Sequence, residues 1–309
     1  MDEIISQISD EMKRHNYKYK TVSITHLPDV QNTVGELVRQ GMLSEKLCRD
    51  WQFYLDSNKN LPEAKTIVII AMPQRITRVS FRRQDIDYSA IIPPGYFTQK
   101  DESCAAAILK SVIEHKGYKV SKARLALKTL AVRSGLAKYG RNNISYVPGM
   151  GSFHRLIAFY TDYPCEEDNW QKLQMMKACE KCSLCHENCP TGSISNERFL
   201  IHAENCLTHF NEYEYDFPQW LKPEWHNALI GCMRCQSVCR VNKPYLNKIE
   251  KGQTFSEEET ELILNRTPVE QLNSETMIKL ERMVQDEIYP VMGRNLRVLI
   301  EKSGKPTQI

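Results

Sequence analysis

Apolar residues fall into three rhythms along this 309-residue chain. Near the N-terminus Ile4, Ile5, Ile8 and Met12, and then Val34, Leu37, Val38 and Leu43, recur at the spacing of one helix face and predict helices through residues 1–60. AKTIVIIAMP, residues 64–73, is a short unbroken apolar run rich in β-branched residues and closed by proline, which predicts a strand buried on both faces. FHRLIAFYTD, from Phe153, predicts a second strand. Ser103 can cap a helix that runs to Gly117, and KARLALKTLAVRSG, residues 122–135, predicts another stopped by Gly135. Helices and strands thus alternate to about Pro164, an α/β arrangement. Beyond Met175 the pattern changes to cysteine-rich loops between short helices, and the final stretch is polar and helical. Three regions are expected: an α/β domain over 1–165, a cysteine module over 166–245 and a helical tail over 246–309.

The cysteines carry the clearest chemistry. Cys179, Cys182, Cys185 and Cys189, followed by Pro190, spell C-x2-C-x2-C-x3-C-P, the bacterial ferredoxin run for a 4Fe-4S cluster. Three thiolates two residues apart can wrap one cubane from a tight loop, while the fourth is carried away to ligate a second cluster. A second set exists: Cys232, Cys235 and Cys239 give the back half of the same pattern, and Cys206 supplies its first cysteine from upstream. By the crossed rule, cluster one takes Cys179, Cys182, Cys185 and Cys239, and cluster two takes Cys189, Cys206, Cys232 and Cys235. Arg240 stands where a second proline is usual, with Pro244 close behind. Zinc, the alternative, favours paired C-x2-C knuckles separated by a long spacer. Cys48, Cys104 and Cys165 stand alone and are expected to be buried small hydrophobes.

Composition adds a location and a charge asymmetry. The N-terminal MDEIISQISDEMKRHNYKYK lacks the apolar core of a signal peptide, and no stretch has the apolar length of a membrane span. A cytoplasmic protein is expected, and its eleven cysteines read as metal ligands rather than disulfides. From His115 to Thr161 there is no Asp or Glu, while Lys116, Lys119, Lys122, Arg124, Lys128, Arg133, Lys138, Arg141 and Arg155 all fall within it. That window can receive an anionic ligand or present ordinary solvated helix faces.

LAVRSGLAKYGRNN at 130–143, GSFHRLIAFYTD at 151–162 and the double cysteine set together resemble the cobalamin-dependent epoxyqueuosine reductase family, with reductive dehalogenases as more distant relatives. The resemblance spans about residues 60–245. It implies a nitroreductase-like, cobalamin-binding α/β domain joined to a ferredoxin-like double-cluster module. The corrin would lie base-off against Tyr139, Gly140, Arg141, Asn142, Asn143, Gly151, Ser152 and Phe153, with glycine backbone allowing close approach. Electrons from a ferredoxin or flavodoxin would pass through both clusters to the cobalt.

Two departures from the family pattern bear on substrate. The family's proton-donating aspartate, ahead of the LAVR helix, falls on Ser121, whose hydroxyl is far too weak an acid. Tyr96, Tyr139, Tyr146 and His154 are the substitute candidates. Residues 240–309 leave no counterpart for the C-terminal helical repeats of longer members, which puts transfer RNA in question as a partner. The functions to weigh are a cobalamin-dependent reductase acting on a different, small or anionic substrate, an electron-transfer protein that reduces a corrinoid or corrinoid protein, and a non-catalytic iron-sulfur scaffold.

Overall fold

The computed structural model describes residues 3–43, 47–48, 60–96, 99–214, 216–283 and 288–303. Positions 49–59 of the helical expectation for 1–60 lie outside the described residues. The described strands are β1 (Lys18–Ser23), β2 (Thr66–Pro73), β3 (Ile76–Arg83), β4 (Ile86–Ile92), β5 (Val120–Ala123), β6 (Lys138–Tyr139), β7 (Ser145–Tyr146), β8 (His154–Thr161) and β9 (Ile249–Phe255). The described helices are α1 (Glu3–Arg14), α2 (Leu27–Arg39), α3 (Gln99–Ile113), α4 (Leu127–Arg133), α5 (Leu184–Glu187), α6 (Leu207–Glu212), α7 (Arg234–Ser237), α8 (Glu257–Leu264), α9 (Ser274–Glu281) and α10 (Tyr289–Ser303). The chain divides into two compact units: Met1–Pro73 with Thr98–Cys182, and Gln74–Phe97 with Ser183–Ile309. This differs from three consecutive regions at 1–165, 166–245 and 246–309. The segment carrying β3 and β4 leaves the first unit because β3 pairs with β9, far along the chain.

In the first unit β2 lies between β1 and β8, and β5 extends the far edge of β8, all antiparallel in the order β1-β2-β8-β5. Successive side chains of a strand point to opposite faces. Ile67, Ile69 and Ala71 of β2 therefore join Leu156, Ala158 and Tyr160 of β8 in one core, with Val30 of α2 and Leu130 of α4. Val68, Ile70 and Met72 join Ile157 and Phe159 in the other, with Ile8 and Met12 of α1 and Leu109 of α3. Covered faces on both sides are what the unbroken apolar runs require. Helix α3 starts at Gln99, ahead of the predicted cap at Ser103, and its 3-10 extension ends at Gly117 with φ 86°. The helix predicted over 122–135 is two elements: residues 120–123 are drawn into the sheet by β8, with Ser121 opposite Tyr160, and α4 begins only at Leu127.

The second unit packs a three-stranded sheet, order β4-β3-β9, against the helices of the tail. Phe81 of β3 and Phe255 of β9 stack at 5.2 Å between ring centroids, both fully buried. Ser256 caps α8 through a reciprocal capping box with Glu259. A Cβ on Gly293 of α10 would sit 2.2 Å from the Ile263 carbonyl oxygen, so glycine permits the close approach of α10 to α8. Among the described residues the α-helices of the cysteine stretches are the four-residue α5 and α7 and the six-residue α6, with short 3-10 turns around them.

Candidate functional site

The head of the cysteine run is seated by the hairpin β6-β7. The Tyr139 N–H donates to the Gln174 carbonyl and the Met176 N–H donates to the Tyr139 carbonyl, each at 2.8 Å. The turn between the two strands closes through Asn143 N–H to the Gly140 carbonyl and Gly140 N–H to the Ile144 carbonyl. Asn143 sits at φ 58°, a left-handed position asparagine tolerates. From this turn the Arg141 guanidinium donates through Nε to the Cys182 carbonyl at 2.8 Å and through Nη2 to the Cys179 carbonyl at 2.9 Å. Cys179 and Cys182 belong to the first unit, while Cys185, Cys189, Cys206, Cys232, Cys235 and Cys239 belong to the second. All eight are half-buried.

In the second unit, Cys189, Cys206 and Cys232 come close enough to feel one another's charge, although they arise from three separate stretches. Burial, followed by the neighbouring charge of Cys232, pushes the Cys206 thiol up to about 12. Burial also raises Cys232. Packed thiols resist ionisation for want of a counter-charge, and iron provides one, because ligation takes the thiolate form. Asn227 organises this corner: its Nδ2 donates to the Cys232 sulfur at 3.3 Å and to the Trp225 carbonyl, and its Oδ1 accepts from the Met233 N–H at 2.7 Å. Among the described residues no three His, Cys, Asp or Glu side chains converge to hold a single metal ion. Thiolates on a cubane bind different irons and need no such point. Three of the four cysteines expected for cluster two, Cys189, Cys206 and Cys232, are thus brought together, and thiols fit as donors to iron. Cys104 and Cys165 are only half-buried, against the expectation of buried hydrophobes: Cys104 faces His15 and the Cys165 thiol donates to the Glu167 carbonyl. Cys48 is half-buried too.

The substitute proton donors fall in different places. Tyr96 lies in the second unit, hydrogen-bonded to the Glu212 carboxylate, with its hydroxyl over Gly231, where a Cβ would overlap it. Both residues keep some surface, but their polar ends lie inside. Burial raises the Glu212 carboxyl to about 7, and burial with the Glu212 charge holds Tyr96 well above the ordinary phenol range. His154, in the first unit, donates from Nδ1 to the Gly151 carbonyl and accepts at Nε2 from Ser145, both at 3.1 Å; this tautomer follows from the carbonyl partner. Burial lowers it to about 4, so it is neutral at neutral pH. Tyr139 meets Thr129, and the Tyr146 hydroxyl accepts from Asn142 Nδ2.

Of the eight residues expected to cradle a corrin, seven are buried and Arg141 is half-buried. A Cβ at Gly140 would lie 2.5 Å from the Tyr146 ring and 2.6 Å from Asn142 Oδ1. The space beside that glycine is therefore filled by the protein's own side chains, not kept for a macrocycle. Gly151 and Ser152 belong to the turn that carries Phe153, 2 % exposed, into β8. These residues do not form an open cradle for a corrin.

The acid-free window is also internally engaged. Lys116 pairs with Glu3, Lys119 with Glu63, and both Lys122 and Arg155 with Glu102. Lys128, Arg133 and Arg141 donate to backbone carbonyls.

Residues 178–242 match the 4Fe-4S double cluster binding domain, which defines the class of this region. The chain is similar to epoxyqueuosine reductases: it is 29% identical over 199 residues to that of Bacillus subtilis, covering 59% of this chain and 49% of the relative. With the Staphylococcus aureus enzyme the identity is 26% over 194 residues, covering 60% and 50%. The chain thus spans about half the length of these curated relatives. Its fold is shared with a crystal structure of epoxyqueuosine reductase carrying an epoxyqueuosine-modified tRNA-Tyr stem loop, at a TM-score of 0.67 and 18% identity, over 96% of this chain and 82% of that one. Among the described residues no helix is long and apolar enough to cross a membrane.

Arg141, Asn227 and Glu212 are the residues whose structural part the motif reading missed. Arg141 and Glu212 meet partners 38 or more positions away and Asn227 bonds within the local 225–233 stretch, none of which cysteine spacing reports.

Proposed function

We propose that this chain is an iron-sulfur oxidoreductase of the epoxyqueuosine reductase type that relays electrons singly from a ferredoxin- or flavodoxin-class donor to an acceptor other than epoxyqueuosine. The observation that carries the reading is the gathering of Cys189, Cys206 and Cys232 within a region matching the double-cluster domain. Cluster one would be held by Cys179, Cys182, Cys185 and Cys239, and cluster two by Cys189, Cys206, Cys232 and Cys235. Such clusters supply one-electron chemistry over roughly −700 to +450 mV. The chain's own residues hold and orient: the 138–146 hairpin seats Cys179 and Cys182, and Asn227 directs a hydrogen bond onto the Cys232 sulfur. Ser121 at the family's acid position supports a changed acceptor, since a strand hydroxyl beside Tyr160 supplies no general acid.

The test is anaerobic mixing of the reconstituted protein with a reduced ferredoxin- or flavodoxin-class donor, first alone and then with cobalamin or epoxyqueuosine-containing RNA. Bleaching of the cluster absorbance by the donor is expected, with no turnover of the RNA. Clusters that the donor cannot reduce would overturn the relay. A shift of cobalamin's visible spectrum to the base-off form would instead establish the corrin-linked reading, and RNA turnover would restore epoxyqueuosine as substrate.

A further inference from the structure

Arg141 belongs to the stretch whose resemblance implies corrin contact, yet its guanidinium is committed elsewhere. Nε donates to the Cys182 carbonyl at 2.8 Å, and Nη2 donates to the Cys179 carbonyl at 2.9 Å and, more weakly, to the Glu180 carbonyl at 3.5 Å. Three acceptors from one C-x2-C step are thus gathered by one planar fork. A lysine ammonium has no such fork, so the geometry is specific to arginine. The base of the fork is fixed, because the Tyr139 backbone pairs with Gln174 and Met176 in the segment entering the loop.

From this we infer that Arg141 is a positioning residue for the first cysteine loop, and that its fixed positive charge raises the reduction potential of the cluster bound there. The inference rests on the two-cluster reading above. Two physical effects point the same way. A cluster ligated by four thiolates gains negative charge on reduction, and a nearby fixed cation favours the more negative state. In a trans peptide the C=O and N–H point in opposite directions, so carbonyls turned to Arg141 leave the Lys181 and Ser183 N–H groups facing away from it. N–H groups free of the guanidinium side can serve sulfur, and such hydrogen bonds are among the determinants of cluster potential.

The experiment is an anaerobic redox titration followed by electron paramagnetic resonance on reconstituted wild type, R141Q, R141K and, as a control away from the loop, R133Q. Iron is counted in every sample. The expected result is that R141Q shifts one of two reduction waves to lower potential and leaves the other in place, that R141K recovers part of the shift, and that R133Q matches wild type. A low iron count in R141Q that R141K restores only in part, since lysine keeps the charge without the fork, would also support the positioning role. Full loading with both waves unmoved in R141Q would overturn the inference while leaving the two-cluster reading intact. Equal movement of both waves, or an R141K wave displaced as far as that of R141Q, would remove the charge argument. About four irons in wild type would mark failure of the two-cluster reading itself.

Discussion

The two units solve the same problem with different materials. The first is ordered by a sheet covered on both faces, with Ile67, Ile69, Ile70 and Met72 of β2 fully buried. The second has a comparable apolar centre around Phe81, Phe255 and Met292, but its cysteine stretches carry helices of only four to six residues. Helices that short are not stable by themselves. Hydrophobic burial orders the sheet of the first unit, whereas on the two-cluster reading the 183–242 stretch of the second is expected to draw part of its order from ligation. Where metal binding and folding are coupled, the binding free energy is folding free energy.

Removing iron from the reconstituted protein is the harshest way to sharpen that contrast. Hydrogen exchange should rise across 183–242, while the amides of β2 and β8 stay protected; equal loss in both units would erase the distinction. Next in size are core truncations. Ile69→Ala should cost about 2–5 kcal/mol and Phe255→Ala about 3–5 kcal/mol, each read in a urea titration and each loosening its own unit first by hydrogen exchange.

The pH responses should also diverge. Glu212 is raised from its ordinary 4.5 to about 7, so the folded chain keeps a proton that the unfolded chain releases. The second unit consequently loses stability as pH rises through that window, by roughly 3 kcal/mol at most, and E212Q should flatten the loss. His154 is lowered from 6.5 to about 4, so the first unit loses stability as pH falls between those values. His226, lowered to about 4 chiefly by burial, adds an acid loss to the second unit, so only the loss on raising the pH from 4.5 to about 7 is expected to separate them. Segment-resolved hydrogen exchange across pH 5–8 reads both arms. The smallest effect is local: Ser256→Ala should remove the α8 capping box for about 1 kcal/mol, visible as fraying of α8 with the first unit unchanged.

What could be read in advance follows the same division. Strands β2 and β8 and helix α1 announce themselves because their burial is written into unbroken or three-to-four-spaced apolar residues. Strand β9, IEKGQTF, carries a mostly exposed and polar face and exists by pairing with β3, which no local pattern reveals. The β5 segment looked helical because KARLALKTL has helical apolar spacing, and only the β8 edge draws its first residues into the sheet. The cysteines were legible because ligand spacing is a local constraint. The reach of Arg141 to Cys179 and Cys182, and the burial of Glu212 against Tyr96, are contacts across dozens of residues and leave no such trace.

The central claim is most directly tested by iron stoichiometry after anaerobic reconstitution of wild type, C206S and C104S. About eight irons per chain are expected in wild type and C104S, falling to about four in C206S with one cluster signal retained. About four irons in wild type, an unchanged count in C206S, or bound zinc in place of iron would contradict it.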